Sequence, residues 1–493
     1  MGDQNTILAE GDARHLLRRA GFAPTKKELA ASGLTGMSRG AAADKVLGYK
    51  IKKYRPGGAD QQKQHDSFMR YLLTTKIPAQ EKLTLFWHDH FATGIAKLLA
   101  NNFGLAPKLM GNQSQLLRTM AKGNMKDFVK AIARDGAMME FLDIVRSEKS
   151  IPNENFAREV MELFTLGVLD NAGNPNYEQA DIVQIARAFT GWRYSRTGKA
   201  FFDEGDHDFK ADFPERGPKE IFGRPSGIGQ FAAPQAFDAN GEGEPEGDTV
   251  IDILFAHRDT AGKNTIARRT ARRLMEFYVG PDPDLATIDA VVTASGFDTN
   301  FIIQGLVRAI FCTDDFYDTA EPFAANGVKS VKWPVDYAIS TMRLLGMKFA
   351  GSQKYIPGGS FTGIFTQMEN MGQIVFDPPS VFGWDWETSW LSSSTLLARY
   401  NFARDIVASR GGGKFNPVKL IDFDLTDAGQ IVDQVLEVLD VAHNFSAADR
   451  QICIDYLTDS GTITPDLNDY QYQNTKLHGL FELVMKSPGY QVF

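Results

Sequence analysis

The chain has 493 residues with a formal net charge of −8, and it is 43% hydrophobic and 23% charged. These values are typical of a globular protein that buries roughly three quarters of its unfolded surface. The negative charge argues against a nucleic-acid partner, because phosphate binding needs a basic face. Two cysteines, Cys312 and Cys453, are too few for a disulfide framework or a thiolate metal site. We expect both to be buried and to pack as small apolar residues.

The sequence contains no apolar run near the roughly 20 residues of a membrane-spanning helix. The stretch Met1 to Asn5 has neither a basic region nor an apolar one, so it does not resemble a secretory signal. We therefore expect no membrane span and no targeting segment in the chain as given. A periplasmic or secreted location would follow if a leader has been removed, and a cytoplasmic one otherwise. The oligomeric state stays open.

Apolar residues at spacings of three and four predict short helices through the first part of the chain. The stretch Ala9 to Ala31 is helical, with a break at Gly21–Pro24 and Thr25 as the cap of the following helix. Further predicted helices are Asp66–Thr75, Gln80–Thr93, Gln113–Ala121, Met125–Ala133, Asn153–Leu166 and Tyr177–Phe189.

Residues 193–248 are rich in Gly, Pro, Asp and Phe and have no sustained period. We expect an irregular insertion with a hairpin around Ile221 to Arg224, packed on the body because disordered segments are poor in aromatics. Helices resume from Val250, and a short strand is expected at Gln373–Phe376. The later predicted helices are Asn264–Tyr278, Leu285–Val292, Asn300–Phe311, Trp333–Leu345, Leu391–Ser409, Ala428–Val441 and Asn474–Lys486.

The predicted fold class is therefore mainly α, a multi-helix globular bundle with a long irregular insertion and minor β content. Residues 1–192 form a helical part that carries the candidate site, and residues 193–249 form the insertion. Residues 250–493 form a second helical part, which we expect to be continuous with the first.

The stretch Trp87-His88-Asp89-His90 concentrates polar groups that can do chemistry. Because the flanking residues favour a helix, His88 and His90 point about 200° apart and cannot both bind one ion there. One interpretation is a buried, hydrogen-bonded histidine with the other near solvent. Metal ligation by at least one histidine and acid–base work by Asp89 or a histidine are the alternatives.

On the helix that begins at Asn153, Glu154, Arg158 and Glu162 form one ridge, and Glu159 lies on the neighbouring one. These charges can be an ordinary solvated face. Alternatively, three carboxylates around one arginine line a cleft, where one carboxyl group is raised in pKa and acts as acid while another stays ionised. That arrangement suits glycosidic bond cleavage.

Aromatic and loop residues supply candidate substrate contacts. Trp192, Trp384 and Trp386 lie next to glycine turns and can stack on sugar rings, although tryptophans also fill cores. His207 lies in the insertion beside Asp208, either as a site residue or as a turn device. The arginines Arg268, Arg269, Arg272 and Arg273 are expected to pair with acidic neighbours, with phosphate or sulfate binding as the alternative.

The chain also resembles a bacterial family catalogued as domain of unknown function 1800. The matching stretches, in order through nearly the whole chain, are His15–Phe22, Phe86–Thr93, Ala133–Asp135, Leu142–Asp143, Pro152–Gly167, Ala188–Trp192, Ala271–Leu274, Phe376–Pro379, Gly383–Trp384 and Leu396–Arg399. The resemblance implies a helical, often exported protein and no assigned reaction. Asp89 stands where the family commonly has Asn, and Phe164 where some relatives have His.

Three functional hypotheses follow. The first is a glycan hydrolase without a cofactor, which acts on a carbohydrate substrate. Its candidate catalytic residues are Glu154, Glu159, Glu162, Asp89 and Asp143, and its candidate substrate-binding residues are Trp87, His88, Arg158, Trp192, His207, Trp384 and Trp386. The second is a metal-dependent hydrolase, with a divalent metal on His88, His90, His207 and one glutamate. The third is a non-enzymatic binding or assembly protein, whose polar helix is fully paired internally.

Overall fold

Helices make up most of the structure, a computed structural model that describes residues 2–102, 104–223, 228–238, 241–318, 330–347, 363–408 and 415–493. The only sheets in these ranges are two small antiparallel pairs of strands. The predicted fold class, mainly α with minor β content, is therefore confirmed.

The first part of the chain is a run of short helices joined by brief turns. Its helices are α1 (Glu10–Ala20), α2 (Lys26–Ser32), α3 (Arg39–Leu47), α4 (Gln61–Thr74), α5 (Pro78–His90), α6 (Ile95–Asn102), α7 (Ala106–Met120), α8 (Met125–Ala133), α9 (Gly136–Phe141), α10 (Glu154–Glu162) and α11 (Gln179–Ala188). Polar side chains cap the N-termini of several of these helices. Thr25 caps α2 as predicted, because its hydroxyl accepts from the backbone N–H of Glu28 while the Glu28 carboxylate accepts from the N–H of Thr25.

The second part has the same character, with a further set of capped helices. They are α12 (Glu246–Ala256), α13 (Thr265–Tyr278), α14 (Leu285–Ser295), α15 (Phe297–Asn300), α16 (Ile303–Ile310), α17 (Asp314–Tyr317), α18 (Pro334–Leu344), α19 (Ile364–Asn370), α20 (Ser393–Val407), α21 (Ala428–Val438), α22 (Ala447–Thr458), α23 (Tyr470–Tyr472), α24 (His478–Lys486) and α25 (Pro488–Gln491). Asn264 caps α13 through a 2.8 Å bond from the backbone N–H of Ala267, so this helix begins where the sequence predicts.

The insertion at residues 193–248 contains the strands. Strand β1 (Trp192–Tyr194) pairs with β2 (Ala200–Phe202), and β3 (Glu220–Ile221) pairs with β4 (Gln235–Ala236). The predicted packing on the body is confirmed, since Ile221, Phe222 and Phe237 are buried in the main core. Helix α12 begins before Val250, so the insertion ends earlier than expected.

The sequence predicts a hairpin around Ile221 to Arg224 and a strand at Gln373–Phe376, and the structure treats the two differently. Ile221 belongs to β3, but Arg224, the end of the predicted hairpin, lies outside the described residues. The strand predicted at Gln373–Phe376 is wrong, because no strand forms there, a turn follows at residues 375 and 376, and Phe376 has φ +72°. Val375 and Phe376 pack in the core as individual side chains, so this apolar run does not reflect sheet pairing.

One hydrophobic cluster extends through the described residues from Leu8 to Tyr490. Cys312 and Cys453 are free and buried within it, as predicted. No helix in the described ranges is both long and apolar enough to span a membrane. Four tryptophans meet on one side of the cluster, where the ring of Trp333 lies 6.4 Å from Trp384, 5.3 Å from Trp386 and 6.3 Å from Trp390.

Candidate functional site

Helix α10 presents a polar face to the surface because its apolar side chains are buried on the opposite side. Asn153 starts the helix by accepting a 2.9 Å hydrogen bond from the backbone N–H of Asn155. The helix ends at Glu162, earlier than the predicted Leu166, and a tight turn leads to Gly167 at φ +80°. The predicted start of the helix at Asn153 is therefore confirmed, and the carboxylates at the end of the helix lie beside this turn.

Glu159 and Glu162 lie one helical turn apart, so their carboxylates are neighbours. Burial, together with the negative charge of Glu162, raises the pKa of Glu159 to about 7, while Arg158 opposes this shift. The Glu159 carboxylate has no hydrogen-bond donor among the described residues. Glu162 differs, because its Oε2 accepts a 3.0 Å hydrogen bond from the Tyr177 hydroxyl. Two adjacent carboxyl groups thus have unlike surroundings, the condition for one to act as acid and the other as base.

Arg269 on α13 brings a positive charge near Glu162. Its Nη2 donates a 3.5 Å hydrogen bond to the carbonyl of Leu163, while its Nε is buried without a partner among the described residues. Burial, and then the charge of Arg273, lowers the pKa of Arg269 to about 10. A Cβ at Gly167 would lie 2.9 Å from Arg269 Nη1, so the glycine makes room for the guanidinium. The arginine is therefore charged at neutral pH, and its Nε–H is a hydrogen-bond donor without a partner among the described residues.

His90 lies on the inner side of the same group. Its Nε2 is 3.3 Å from the carbonyl of Phe164, which can only accept, so Nε2 carries the proton and Nδ1 the lone pair. Burial and the charges of Arg269 and Arg273 lower the pKa of His90 to about 3, so the ring is neutral. This histidine can accept a hydrogen bond through Nδ1.

Asp89 links α5 to the loop that follows residue 380. Its Oδ1 accepts a 2.8 Å bond from the backbone N–H of Trp384, and its Oδ2 a 3.0 Å bond from the indole N–H of Trp386. Burial raises its pKa to about 7, although Arg273, 3.6 Å away, opposes the shift. Gly383 packs against this carboxylate so closely that a Cβ would lie 2.4 Å from Oδ1. Asp89 is enclosed, and in this structure it positions the loop.

His88 and His207 have their ring nitrogens engaged or enclosed. The backbone N–H of Phe376 donates to Nε2 of His88 at 2.9 Å, which leaves the proton on a buried Nδ1. In His207, Nδ1 lies 3.1 Å from the Thr190 hydroxyl, and Nε2 lies 3.2 Å from the ammonium of Lys219. Neither side chain offers a free lone pair to a metal in this conformation.

The described ranges contain no group of three or more His, Cys, Asp or Glu side chains placed to hold a metal ion. The metal hypothesis required His88, His90 and His207 to converge with a glutamate. Instead, His207 contacts Lys219 and Glu246 within the insertion, and His88 contacts the Phe376 loop. The three histidines have separate partners among the described residues, and the metal ligand set stays a prediction.

Three of the four tryptophans predicted to contact substrate belong to the core. Trp87, Trp192 and Trp384 are at most 4% exposed, and the indole N–H of Trp87 donates to the carbonyl of Ala121. Trp386 is partly exposed, but Arg273 covers one face of its ring at 3.9 Å. The glycine turns here bring Trp192 and Trp384 into the core, and contact of these tryptophans with a substrate stays a prediction.

The other predicted acidic residues lie in ion pairs or polar networks near the surface. Glu154 accepts a 2.8 Å hydrogen bond from the amide N–H of Gln179, and the amide oxygen of Gln179 accepts a 3.0 Å hydrogen bond from Arg158. Asp143 lies between Lys97, at 2.9 Å, and Arg146, at 2.5 Å. Both carboxylates therefore have donor or cationic partners, unlike the Glu159 carboxylate, which accepts no hydrogen bond from the described residues.

The sequence does not predict that Tyr177 and Arg269 lie near Glu162. From the sequence, Tyr177 is the start of a helix, and Arg269 is one of four arginines that are expected to pair with acids. The expected pairing is confirmed for Arg268, which contacts Asp259 and Asp289, and for Arg273, which contacts Glu276 and Asp89. Tyr177 lies just before α11, which packs against α10. Because the hydrogen bond between Tyr177 and Glu162 joins two separate segments, no spacing within one helix could predict it.

The model of the family described as protein of unknown function (DUF1800) matches residues 15–492, nearly the whole chain. The chain belongs to this family. Curated proteins yield no match, and neither do solved structures. The match spans α10, α13 and Tyr177, so the carboxylate pair and its neighbours lie within the family's own domain.

Proposed function

We propose that the protein is a hydrolase that cleaves glycosidic bonds with Glu159 and Glu162 as its catalytic pair. The observation that carries this proposal is the contrast between two adjacent carboxyl groups. Glu159 has no hydrogen-bond donor in the described part of the chain and a pKa raised to about 7, whereas Glu162 accepts a hydrogen bond from Tyr177. Enzymes that hydrolyse glycosides need one protonated and one ionised carboxyl group at the same pH.

In the proposed reaction, Glu159 donates its proton to the oxygen of the departing sugar as the glycosidic bond breaks. In one route Glu162 attacks the anomeric carbon and forms a glycosyl ester, which water then hydrolyses while the Glu159 carboxylate takes the proton of that water. In the other route Glu162 removes a proton from a water molecule that attacks the anomeric carbon directly, so both routes add one water across the bond. Side chains three residues apart on a helix have Cβ atoms about 5–6 Å apart, so the two carboxyl groups can approach the two atoms of one glycosidic bond. Tyr177 orients Glu162, and Arg269 offers donors to substrate oxygens.

The choice of a glycosidic bond rests on the carboxylate pair, since the tryptophans give it little support. A non-enzymatic binding role would require the polar face of α10 to be fully paired. The Glu159 carboxylate, which accepts no hydrogen bond from the described residues, argues against that requirement. On α13, Nε of Arg269 is also without a partner among those residues. A metal-dependent reaction has no comparable support in the described residues.

The test is hydrolysis of a broad panel of poly- and oligosaccharides by the wild type, Glu159→Gln and Glu162→Gln, with and without EDTA. We expect the wild type to release reducing ends and each variant to lose at least about 100-fold in kcat, consistent with loss of general acid–base catalysis. Glu148→Gln is the control, because this carboxylate is 53% exposed and lies 3.5 Å from Arg193 in the insertion. Activity on no substrate, or full activity in both variants, overturns the proposal, and activity abolished by EDTA assigns the reaction to a metal.

A further inference from the structure

A pocket of about 380 Å³ lies where α1, α2, α3 and the start of α5 meet. We call it the α2 pocket and define it by six apolar side chains on its wall that keep part of their surface exposed to solvent: Leu17, Ala31, Val46, Ile77, Pro78 and Ala79. Ligand sites for small molecules commonly have volumes of about 300–1,000 Å³, so a compact molecule fits here. Neither carboxylate of the catalytic pair lies on this wall, so the pocket is independent of the proposed hydrolase function.

The apolar part of the wall can be reached by a ligand. Its six side chains come from four separate segments of the chain and meet in one concave surface. Single exposed apolar side chains are normal on a protein surface, but here they are gathered where one ligand can contact several of them at once. Such contact removes apolar surface from water on both molecules, which favours binding. The pocket therefore suits the apolar part of a ligand.

The charged side chains on the described part of this wall are Glu28, Lys45, Lys76 and Arg343. Glu28 and Arg343 neutralise each other, because Nη2 of Arg343 lies 2.5 Å from Oε1 of Glu28. Nη1 of Arg343 also donates to three backbone carbonyls at the end of α4. This ion pair is thus already held by groups of the protein, and the charge offered to a ligand comes from the two lysines.

Lys45 and Lys76 are exposed, and neither forms an ion pair with an acidic side chain of the described residues. Asp44, the residue before Lys45, pairs instead with Arg308 at 2.7 Å. A Cβ at Gly33 would lie 3.4 Å from Nζ of Lys45, which places this ammonium group at the end of α2. Two accessible positive charges therefore lie beside the apolar surface of the pocket.

The charges and the apolar surface together specify an amphipathic anion. A cation would be repelled by the two lysines, and a neutral molecule would leave both ammonium groups to solvent. An anion with an apolar chain uses both parts of the wall, since its head group can lie near the lysines while its chain contacts the apolar side chains. The volume of the pocket limits this chain to a medium length.

We propose that the α2 pocket binds a medium-chain alkyl anion such as octanoate. The alkyl chain packs against the six apolar side chains that define the pocket, and the negative head group lies near Lys45 and Lys76. A fatty carboxylate and an alkyl phosphate share this chemistry, so the experiment includes both.

The test measures binding to the full chain by titration calorimetry and saturation-transfer NMR. The probes are hexanoate, octanoate, decanoate and octyl phosphate, with 1-octanol and octylammonium as the neutral and cationic counterparts. We expect the affinity to rise with chain length, by up to about fourfold per methylene group until the pocket is full. Octanoate is expected to bind at least about threefold more tightly than 1-octanol, the effect of exposed ion pairs, and octylammonium more weakly than either. Preference between octanoate and octyl phosphate identifies the head group.

A double variant tests the two lysines. Lys45→Gln combined with Lys76→Gln is expected to abolish the preference for octanoate over 1-octanol while the affinity for 1-octanol stays the same. Its matched control is Lys199→Gln combined with Lys263→Gln, which removes the same charge from two exposed lysines outside this wall. The control is expected to keep the preference, which in the wild type shrinks at high salt because exposed charges are screened.

A second variant places the binding in this pocket. Ala31→Leu is expected to weaken binding of both octanoate and 1-octanol by at least about threefold, because its larger side chain occupies part of the pocket. Ala31 is exposed on α2, so the helix accepts leucine there. Ala30→Leu is the matched control, since Ala30 is exposed on the same helix but does not line the pocket.

Binding of none of the alkyl anions overturns the proposal. Equal affinity for octanoate in Ala31→Leu and Ala30→Leu also overturns it, because the ligand would then occupy another site. Binding of 1-octanol or octylammonium as tight as that of octanoate overturns the anionic class, and so does a preference for octanoate that persists in the double lysine variant. None of these readouts depends on hydrolysis, so the two proposals can fail separately.

Discussion

The hydroxyl of Tyr177, from the segment just before α11, lies 3.0 Å from Oε2 of Glu162 at the end of α10. This bond links α10 to the segment that leads into α11, a helix packed against α10, and it gives Glu162 a donor that Glu159 does not have among the described residues. The difference between the two carboxyl groups therefore depends on a residue from outside α10.

Removal of this donor is the first prediction. Tyr177→Phe is expected to lower kcat about tenfold and to move the acid limb of the pH–rate profile to higher pH, because a carboxylate without a donor holds its charge less well. The measurement is the pH profile of hydrolysis on the best substrate of the panel. Tyr456→Phe, which removes a hydroxyl bonded to the carbonyl of Thr475, serves as control and is expected to leave the profile unchanged. An unchanged profile in Tyr177→Phe contradicts the role of this bond.

The second prediction concerns the proton on Glu159. Because its pKa is raised to about 7 by burial and by Glu162, the proposed acid loses its proton above neutral pH, and activity falls on the alkaline side. Glu162→Gln is expected to lower the pKa of Glu159, whereas Arg158→Gln is expected to raise it further. Carboxyl-selective NMR titration of Glu159 measures both shifts without any substrate. Shifts in the same direction for both variants would refute the electrostatic origin.

Asp89 gives a third prediction, on stability against pH. Its pKa in the folded protein is raised to about 7 from an ordinary value of 3.8, so the folded state binds the proton more tightly than the unfolded state. Stability from this group is complete below about pH 4 and is lost as the pH rises to about 7, with a slope of up to about 1.4 kcal/mol per pH unit. The free energy of unfolding by urea, measured from pH 4 to 8, gives the slope.

Comparison with Asp89→Asn isolates this contribution. Buried Asp135, whose pKa is also raised to about 7, contributes in the same pH range in both proteins and cancels in the difference. We expect the slope between pH 4 and 7 to be shallower in Asp89→Asn than in the wild type. Parallel curves would show that Asp89 titrates normally in the folded protein.

Gly383 supports a fourth prediction, because it combines a positive φ of 84° with close contact to Asp89. Gly383→Ala is expected to destabilise the protein by about 2–4 kcal/mol, from backbone strain and displacement of the carboxylate. Gly346→Ala is the matched control: its φ is +63°, and a Cβ there meets nothing within 4 Å, so about 1 kcal/mol is expected. An equal loss of unfolding free energy in the two variants, measured by thermal or urea unfolding, would argue against a destabilising contact between the new Cβ at position 383 and Asp89.

The fifth prediction is that EDTA leaves the melting temperature unchanged. His88 accepts from the backbone of Phe376, and His207 contacts Thr190 and Lys219, so a metal would have to break these bonds. Differential scanning calorimetry with EDTA, followed by addition of Zn²⁺ or Mn²⁺, makes the measurement. A melting temperature that falls with EDTA and recovers with metal would restore the metal hypothesis.

Local signals in the sequence predicted much of the helical framework. The caps at Thr25, Asn153 and Asn264 and the helix through His88 and His90 are set by nearby residues, which one sequence displays. The strand expected at Gln373–Phe376 failed because a short apolar run has the same pattern whether it pairs in a sheet or packs as turns.

The site was predictable only in part. The periodicity of α10 placed Glu159 and Glu162 side by side, but it could not distinguish them from Glu154, which lies on the same polar face. That distinction comes from Tyr177 and Arg269, whose positions depend on how α11 and α13 pack against α10. Likewise, no sequence rule showed that Asp89 would be enclosed by a loop almost 300 residues further along the chain.

The cluster of Trp333, Trp384, Trp386 and Trp390 holds four of the six tryptophans of the chain. The intrinsic fluorescence of the protein is therefore weighted toward the loop that Asp89 holds in place. Three of these indoles are almost fully buried, so release of the loop would expose them to water and shift the emission to longer wavelength. An unfolding transition followed by fluorescence would report first on this corner of the molecule, whereas circular dichroism would follow the helices as a whole.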